Sequence, residues 1–130
     1  MIVIDASALI LVLLEGSRTD ALRARLATEA GALQAPHLID LEIAQVLRRF
    51  LRTGEIDDSR AMTALQDLSD LRLERHPHQP FLERIWALRA NLTAYDAAYV
   101  ALAESLGAKL ITSDEALARA PGVAARVEVY

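Results

Sequence analysis

The sequence contains no cysteine. That excludes disulfides and thiolate metal sites, and it suits a reducing, cytoplasmic setting. Lysine is nearly absent: Lys109 stands alone, and the rest of the positive charge is arginine. Arginine is the better fork for phosphate oxygens, although a GC-rich genome alone would produce the same bias. There is no glycine-rich phosphate loop and no serine nucleophile elbow, which argues against P-loop and serine-hydrolase chemistry. The first residues, Met1 to Asp5, are not expected to form a signal peptide, because a basic leader is missing and Asp5 interrupts the apolar stretch. The nearby apolar run Ala8 to Leu14 is too short to span a bilayer. His76-Pro77-His78 is too short a cluster for zinc and reads as surface histidines; His37 reads as a helix-start residue. Repeats, low-complexity segments and linkers are also missing, so residues 1–130 are expected to form one domain.

What is present suits a folded α/β protein. Hydrophobic residues make up 53% and charged residues 25% of the 130, enough for a core under an ordinary surface. Ile2 to Ile4 is a continuous apolar run of the kind buried on both faces of a parallel sheet. Leu33–Ala35, Leu71–Glu74, Lys109–Thr112 and Arg126–Tyr130 also read as strands. Helical periodicity covers Ala8–Leu14, Arg18–Glu29 after a Ser17 cap, His37–Arg52 after Pro36, Ser59–Asp70, Pro80–Ala90 and Ala94–Leu106. Gly16, Gly31, Gly54 and Gly107 supply stop signals. Strands alternating with helices predict a parallel sheet with helices on both faces. Such sheets bind ligands outside the carboxyl ends of their strands, and Asp5 and Asp114 fall there if their strands are neighbours.

Four carboxylates stand out, each with an alternative. Asp5 ends the first strand, but could merely favour a helix N-terminus. Glu42 borders the expected buried stripe Ile39, Ile43, Val46, Leu47 and Phe50, with Gln45, Arg49 and Arg52 on its side; it could be an ordinary exposed glutamate, as Asp40 is expected to be. Asp96 has capping-box spacing from Thr93, as Asp20 has from Ser17. Asp96 nevertheless shares the apolar face of Tyr99, Val100 and Ala103, where an unsatisfied carboxylate is costly. Asp114 could cap a helix, and Glu115 could replace it as a ligand. Together the four lie at strand ends or in the first turns of helices, which in this architecture form one rim. Carboxylates gathered there repel one another unless a cation neutralises them, and an all-oxygen set suits Mg²⁺ or Mn²⁺.

The motifs Ile2-Val3-Ile4-Asp5-Ala6-Ser7-Ala8, Ala35-Pro36 with Leu41-Glu42, the block Leu92-Thr93-Ala94-Tyr95-Asp96-Ala97-Ala98-Tyr99 running on to Glu104, and Leu110-Ile111-Thr112-Ser113-Asp114 closely resemble PIN-domain proteins, within them the VapC toxins of bacterial toxin–antitoxin pairs. The resemblance runs in order along the whole chain. It implies a five-stranded parallel sheet in a three-layer α/β/α sandwich. It also implies an endoribonuclease dependent on Mg²⁺ or Mn²⁺, dimeric and restrained by a cognate VapB-type antitoxin. The family's acids fall on Asp5, Glu42, Asp96 and Asp114, with Asp5, Asp96 and Asp114 as metal ligands and Ser7 and Thr112 in support. The Thr-x-Asp pattern favours Asp114 over Glu115.

The net charge of −4 is awkward for an RNA-binding protein. Without the four acids it is −4 + 4 = 0, and two divalent ions would offset them. Arg48, Arg49 and Arg52 are candidates for RNA or antitoxin contact, the last two favoured by their position beside Glu42. Apolar Leu9–Leu14 and the stripe Ala61, Leu65 and Leu68 are expected to be mostly core, with a share in a dimer seam or antitoxin groove. Leu82, Ile85 and Trp86 are expected in the core. Two other readings compete: a phosphotransfer enzyme with Asp5 as nucleophile, though Ser7 stands where its second acid belongs, and a non-catalytic protein that only binds an antitoxin or RNA.

Overall fold

A computed structural model of the chain describes residues 1–14 and 19–130. Among the described residues the elements run β1 (Ile2–Ile4), α1 (Ala6–Leu14), α2 (Asp20–Ala27), β2 (Leu33–Pro36), α3 (Leu38–Thr53), α4 (Asp58–Asp70), β3 (Leu73–His76), α5 (Leu82–Ala87), α6 (Ala94–Leu106), β4 (Lys109–Thr112), α7 (Glu115–Arg119) and β5 (Arg126–Val129). The five strands form one sheet in the order β3-β2-β1-β4-β5, and every pairing is parallel.

The apolar run at the start of the chain becomes the central strand. Ile2, Val3 and Ile4 are all 0% exposed. Successive strand side chains point to opposite faces, so both faces of β1 are covered. Helices α1, α3 and α4 pack on one another, while α6 packs against β1, β2 and β4. Ile39, Ile43 and Leu47 form the buried stripe of α3; their i, i+4, i+8 spacing fits one helical face, and each burial is worth about 1.5–3 kcal/mol. Val46 and Phe50, expected in that stripe, are only half-buried at its margin. Every residue of α6 from Ala97 to Ala103 is buried; alanines let this helix approach the sheet closely.

The order of the strands reverses between β1 and β4, which pair with Ile4 opposite Ile111. At such a switch point the connections leave in opposite directions and open a crevice at the carboxyl ends of the strands. The sequence places Asp5 after one of these strands and Thr112 to Asp114 after the other.

Several local expectations change. The third strand is Leu73–His76 rather than Leu71–Glu74. As an edge strand it needs no apolar side chains on both faces: Arg75 binds Asp40 through Nε at 2.6 Å and Nη2 at 2.8 Å, and His76 Nε2 meets Gln34 Oε1 at 2.6 Å. Asp40 is therefore an ion-pair partner as well as a partly solvated acid. The helix expected from Pro80 to Ala90 is a 3₁₀ turn, Gln79–Phe81, followed by the shorter α5. Ile85 and Leu88 enter the core, but Leu82 is 54% and Trp86 67% exposed; Arg89 covers the Trp86 ring at 4.7 Å from its centroid. Leu9, Leu13, Ala61 and Leu68 are buried, and Ile10, Leu11, Val12, Leu14 and Leu65 pack partly against the core. The suggested Ser17 cap lies outside the described residues. No described helix is long and apolar enough to cross a membrane.

Candidate active site

Asp5 leaves β1 with its backbone N–H donating to Ile111 O at 3.0 Å. This extends the β1–β4 pairing by one residue and fixes the side chain at the crevice. The carboxylate is 5% exposed and accepts three hydrogen bonds. Oδ1 takes Ser7 Oγ at 2.7 Å and the Ala8 N–H at 2.9 Å, and Oδ2 takes Thr112 Oγ1 at 2.5 Å. A carboxylate has about four lone-pair sites, so one remains, on Oδ2.

The two hydroxyls are themselves held. Ser7 Oγ accepts the Ser113 N–H at 3.0 Å, and Thr112 Oγ1 accepts the Asp114 N–H at 2.9 Å. Each hydroxyl has one proton, and that proton goes to Asp5. Ser7 and Thr112 thus link the end of β1 to the turn after β4. Their expected supporting role acquires a geometry: both orient Asp5, and Thr112 also orients the backbone of Asp114.

The other acids arrive on separate elements. Glu42 lies in the first half of α3, half-buried, and Tyr99 OH donates to its Oε1 at 2.8 Å. Asp96 lies in the first turn of α6, where Thr93 Oγ1 accepts its N–H at 3.1 Å. The capping role and the inward position therefore coexist, because the cap uses the backbone of Asp96. Asp114 is exposed and caps α7, its Oδ1 accepting the Ala116 N–H at 2.8 Å. Glu115, the rival for its role, pairs with Arg119 at 2.6 Å instead.

Electrostatics tie these residues together. Burial pushes the Asp5 carboxyl above the ordinary carboxylate range, its three donors counter that, and Asp96 adds to the rise. Burial likewise raises Glu42, with Tyr99 opposing and Asp96 and Asp5 reinforcing. Burial also raises Asp96, Thr93 opposes, and Asp114 reinforces. Asp96 thus shares the field of all three other acids. Each raised value means that ionisation is resisted, which a cation would reverse.

The donor set suits a hard divalent ion: oxygen only, with one free site on Asp5 Oδ2 and carboxylates from α3, α6 and the turn before α7. Among the described residues no group of three or more His, Asp or Glu side chains is gathered closely enough to enclose an ion alone.

A groove of about 530 Å³ borders Glu42 and is lined also by Leu41, Gln45, Arg49 and Tyr95. Leu41 is 75% and Tyr95 64% exposed. Farther along α3, Arg48, Arg49 and Arg52 line a second depression. They are exposed and belong to no ion pair among the described residues. A larger cavity, about 550 Å³, lies at the other end of β1 and β4 beside Met1 and Lys109. Most of its charged groups are paired, Met1 N with Glu29 at 2.6 Å, Arg25 and Lys109 with Glu128 at 2.8 Å, and Glu104 with Arg84 at 2.7 Å, so we place no chemistry there.

From sequence, Tyr99 stands out only as part of an apolar face. A usable signal was available: it lies one helical turn after Asp96, and a buried tyrosine hydroxyl requires a partner.

Comparison with known proteins agrees with the fold. The PIN domain family matches residues 2–123. Ribonuclease VapC9 of Mycobacterium tuberculosis (strain H37Rv) is 45% identical over 114 residues, covering 88% of this chain and 86% of its own. Ribonuclease VapC1 of the same strain is 40% identical over 128 residues, covering 98% and 96%. The crystal structure of PAE2754 from Pyrobaculum aerophilum superposes with a TM-score of 0.71 at 27% identity, covering 98% of this chain and 83% of that one. With a family match along most of its length and relatives this similar over nearly their whole chains, this chain belongs to the PIN-domain family, among its VapC-type members.

Proposed function

We propose that this protein is an endoribonuclease dependent on Mg²⁺ or Mn²⁺, the toxin of a toxin–antitoxin pair, acting in the cytoplasm and restrained by a VapB-type antitoxin. The observation that carries the reading is the gathering of acids at the β1/β4 crevice: Asp5 and Glu42 each feel the charge of Asp96, Glu42 also that of Asp5, and Asp96 that of Asp114, while burial resists ionisation of Asp5, Glu42 and Asp96. Such an arrangement is costly without a cation, and the names of the VapC relatives supply the substrate class, RNA.

In this reading Asp5, Asp96 and Asp114 hold the ion, and Glu42 completes the site directly or through water. A divalent ion bound there supplies acidity to water and charge stabilisation to both oxygens of an in-line phosphoryl displacement. The protein does the rest. Ser7, Thr112 and the Ala8 N–H favour the ionised form of Asp5 against the effect of burial and keep it aimed. Asp96 presents its carboxylate from a helix whose other inward residues are apolar, which keeps solvent from its back. Arg49 and Arg52 fork the phosphates of an RNA strand that follows the groove from Tyr95 along α3. This local cationic track answers the unfavourable net charge. The protein works as a homodimer, which light scattering of the isolated chain tests: a strict monomer refutes it.

Asp5 is poorly placed to be a phosphotransfer nucleophile, because both its oxygens accept short hydrogen bonds. The deciding experiment incubates antitoxin-free protein with total cellular RNA, with Mg²⁺ or Mn²⁺ or with EDTA, beside folded Asp96→Asn. Discrete cleavage that needs both the metal and Asp96 is expected. Cleavage that survives EDTA and Asp96→Asn would refute the reading. Protein that binds metal and stays intact but cuts no RNA would favour a binding-only role.

A further inference from the structure

We propose that Tyr99 is a positioning residue of this site: its hydroxyl holds Glu42 among the other acids and leaves the second oxygen of Glu42 for the cation or its water. The inference rests on the metal-dependent reading above and assigns a task that the four acids do not perform.

Glu42 differs from its neighbours in how it is held. Asp5 has three donors, and Asp114 is tied to the start of α7. The side chain of Glu42 has one hydrogen bond among the described residues, from Tyr99 OH at 2.8 Å. Glutamate has three rotatable side-chain bonds, and Glu42 is only half-buried. Asp5 and Asp96 both repel its charge. Unheld, it would relieve that repulsion by turning into the adjoining groove, which opens towards Gln45 and Arg49. One bond therefore decides whether Glu42 faces the acids or the solvent.

Tyr99 is suited to this task. It is 1% exposed, whereas Tyr95 and Tyr130 are 64% and 39% exposed. Its ring is wedged in the packed face of α6, so the hydroxyl has little freedom. It also lies one turn after Asp96, on the same helix face. Helix α6 therefore supplies one carboxylate and the donor that fixes another, which arrives from α3. Any small shift of α6 moves both together and preserves their spacing. Among the described residues the one hydrogen bond of the phenol goes to Glu42, so its effect on the cation passes through that residue.

The test is a double-mutant cycle on the full chain, with Mn²⁺ as the probe. Mn²⁺ binding is measured by water-proton relaxation in wild type, Tyr99→Phe, Glu42→Gln and the double variant, with RNA cleavage in parallel. Phe keeps the ring and the packing, so thermal unfolding should move by less than about 5 °C. Mn²⁺ affinity of Tyr99→Phe should fall roughly tenfold to a hundredfold, the usual effect of losing a group that orients a ligand. In the Glu42→Gln background the same change should add nothing. Wild-type affinity in Tyr99→Phe would overturn the inference. So would an equal loss with and without Glu42, because Tyr99 would then act on the fold. Wild-type protein that binds no Mn²⁺ would overturn the metal reading and this inference with it. Absent RNA cleavage would count against the ribonuclease reading alone, since the binding cycle still decides the role of Tyr99.

Discussion

Replacing Thr112 with valine isolates one polar contribution to the site. Thr112 is 0% exposed, and its hydroxyl gives its proton to Asp5 at 2.5 Å while accepting the Asp114 N–H at 2.9 Å. Valine fills nearly the same volume, so the change tests hydrogen bonding and leaves little cavity. A bond to a carboxylate is worth about 1.5–3 kcal/mol and a neutral one about 0.5–1.5. Against these stands the burial of a methyl in place of a hydroxyl, worth about 0.8 kcal/mol. The net expectation is a destabilisation of about 2 kcal/mol at pH 7 without metal. For a chain of 130 residues, an unfolding entropy of about 2.1 cal/mol/K per residue converts that to a Tm lower by about 7 °C. The effect should depend on pH. Asp5 already has a raised pKa, and losing a donor raises it further. The gap between wild type and Thr112→Val should be full above the raised value and shrink as pH falls through it, because protonated Asp5 gains less from a donor. Thr112→Ser keeps both bonds and serves as the control. Urea unfolding between pH 4 and 8 checks the reasoning. A valine variant as stable as the serine variant at every pH would refute it.

Asp96→Asn should remove RNA cleavage yet leave the metal-free protein at least as stable at pH 7, with a gain under about 1 kcal/mol because the group is half-exposed and screened. The sign follows from its raised pKa: the stability that protonated Asp96 provides is full below about pH 3.8 and is lost as pH rises through the folded value, so the variant's gain should vanish in acid. A clear destabilisation at pH 7 in calorimetry would show that Asp96 is not a strained acid. Arg49→Gln and Arg52→Gln should weaken binding of single-stranded RNA uniformly and each lower the slope of log affinity against log salt by about 0.7. Anisotropy titrations at several salt concentrations in EDTA would show this, and unchanged slopes would remove α3 from the RNA path.

The central parts of the fold were legible because one force dominates there. Ile2 to Ile4 and Leu110 to Ile111 must be buried on both faces, and an unbroken apolar run has few other uses. Once those strands are neighbours, Asp5 meets Thr112, and Asp114 follows two residues on at the same edge. The edges were less legible. β3 was expected two residues early because Leu71 and Leu73 carry the apolar signal, while the strand is completed by Arg75 and His76, whose partners Asp40 and Gln34 lie far away in sequence. Trp86 reads as core by residue type, yet α5 is too short to bury more than Ile85 in its span. The short helix α7 was seen only as a possible cap at Asp114. The carboxylates could be picked out individually, but Tyr99 as the holder of Glu42 could not, since the two are 57 residues apart.

The position of β4 in the sheet also bears on the order in which the protein can mature. Asp5 is synthesised 107 residues before its donor Thr112. Before β4 emerges, β1 lacks one of its two hydrogen-bonded neighbours and the crevice between them does not exist. Pairing of such distant segments is slow compared with local helix formation. A nascent chain can therefore fold α1, α3 and α4 while carrying three of its acids and still have no assembled site. The crevice is completed only once β4, Lys109–Thr112, has been made.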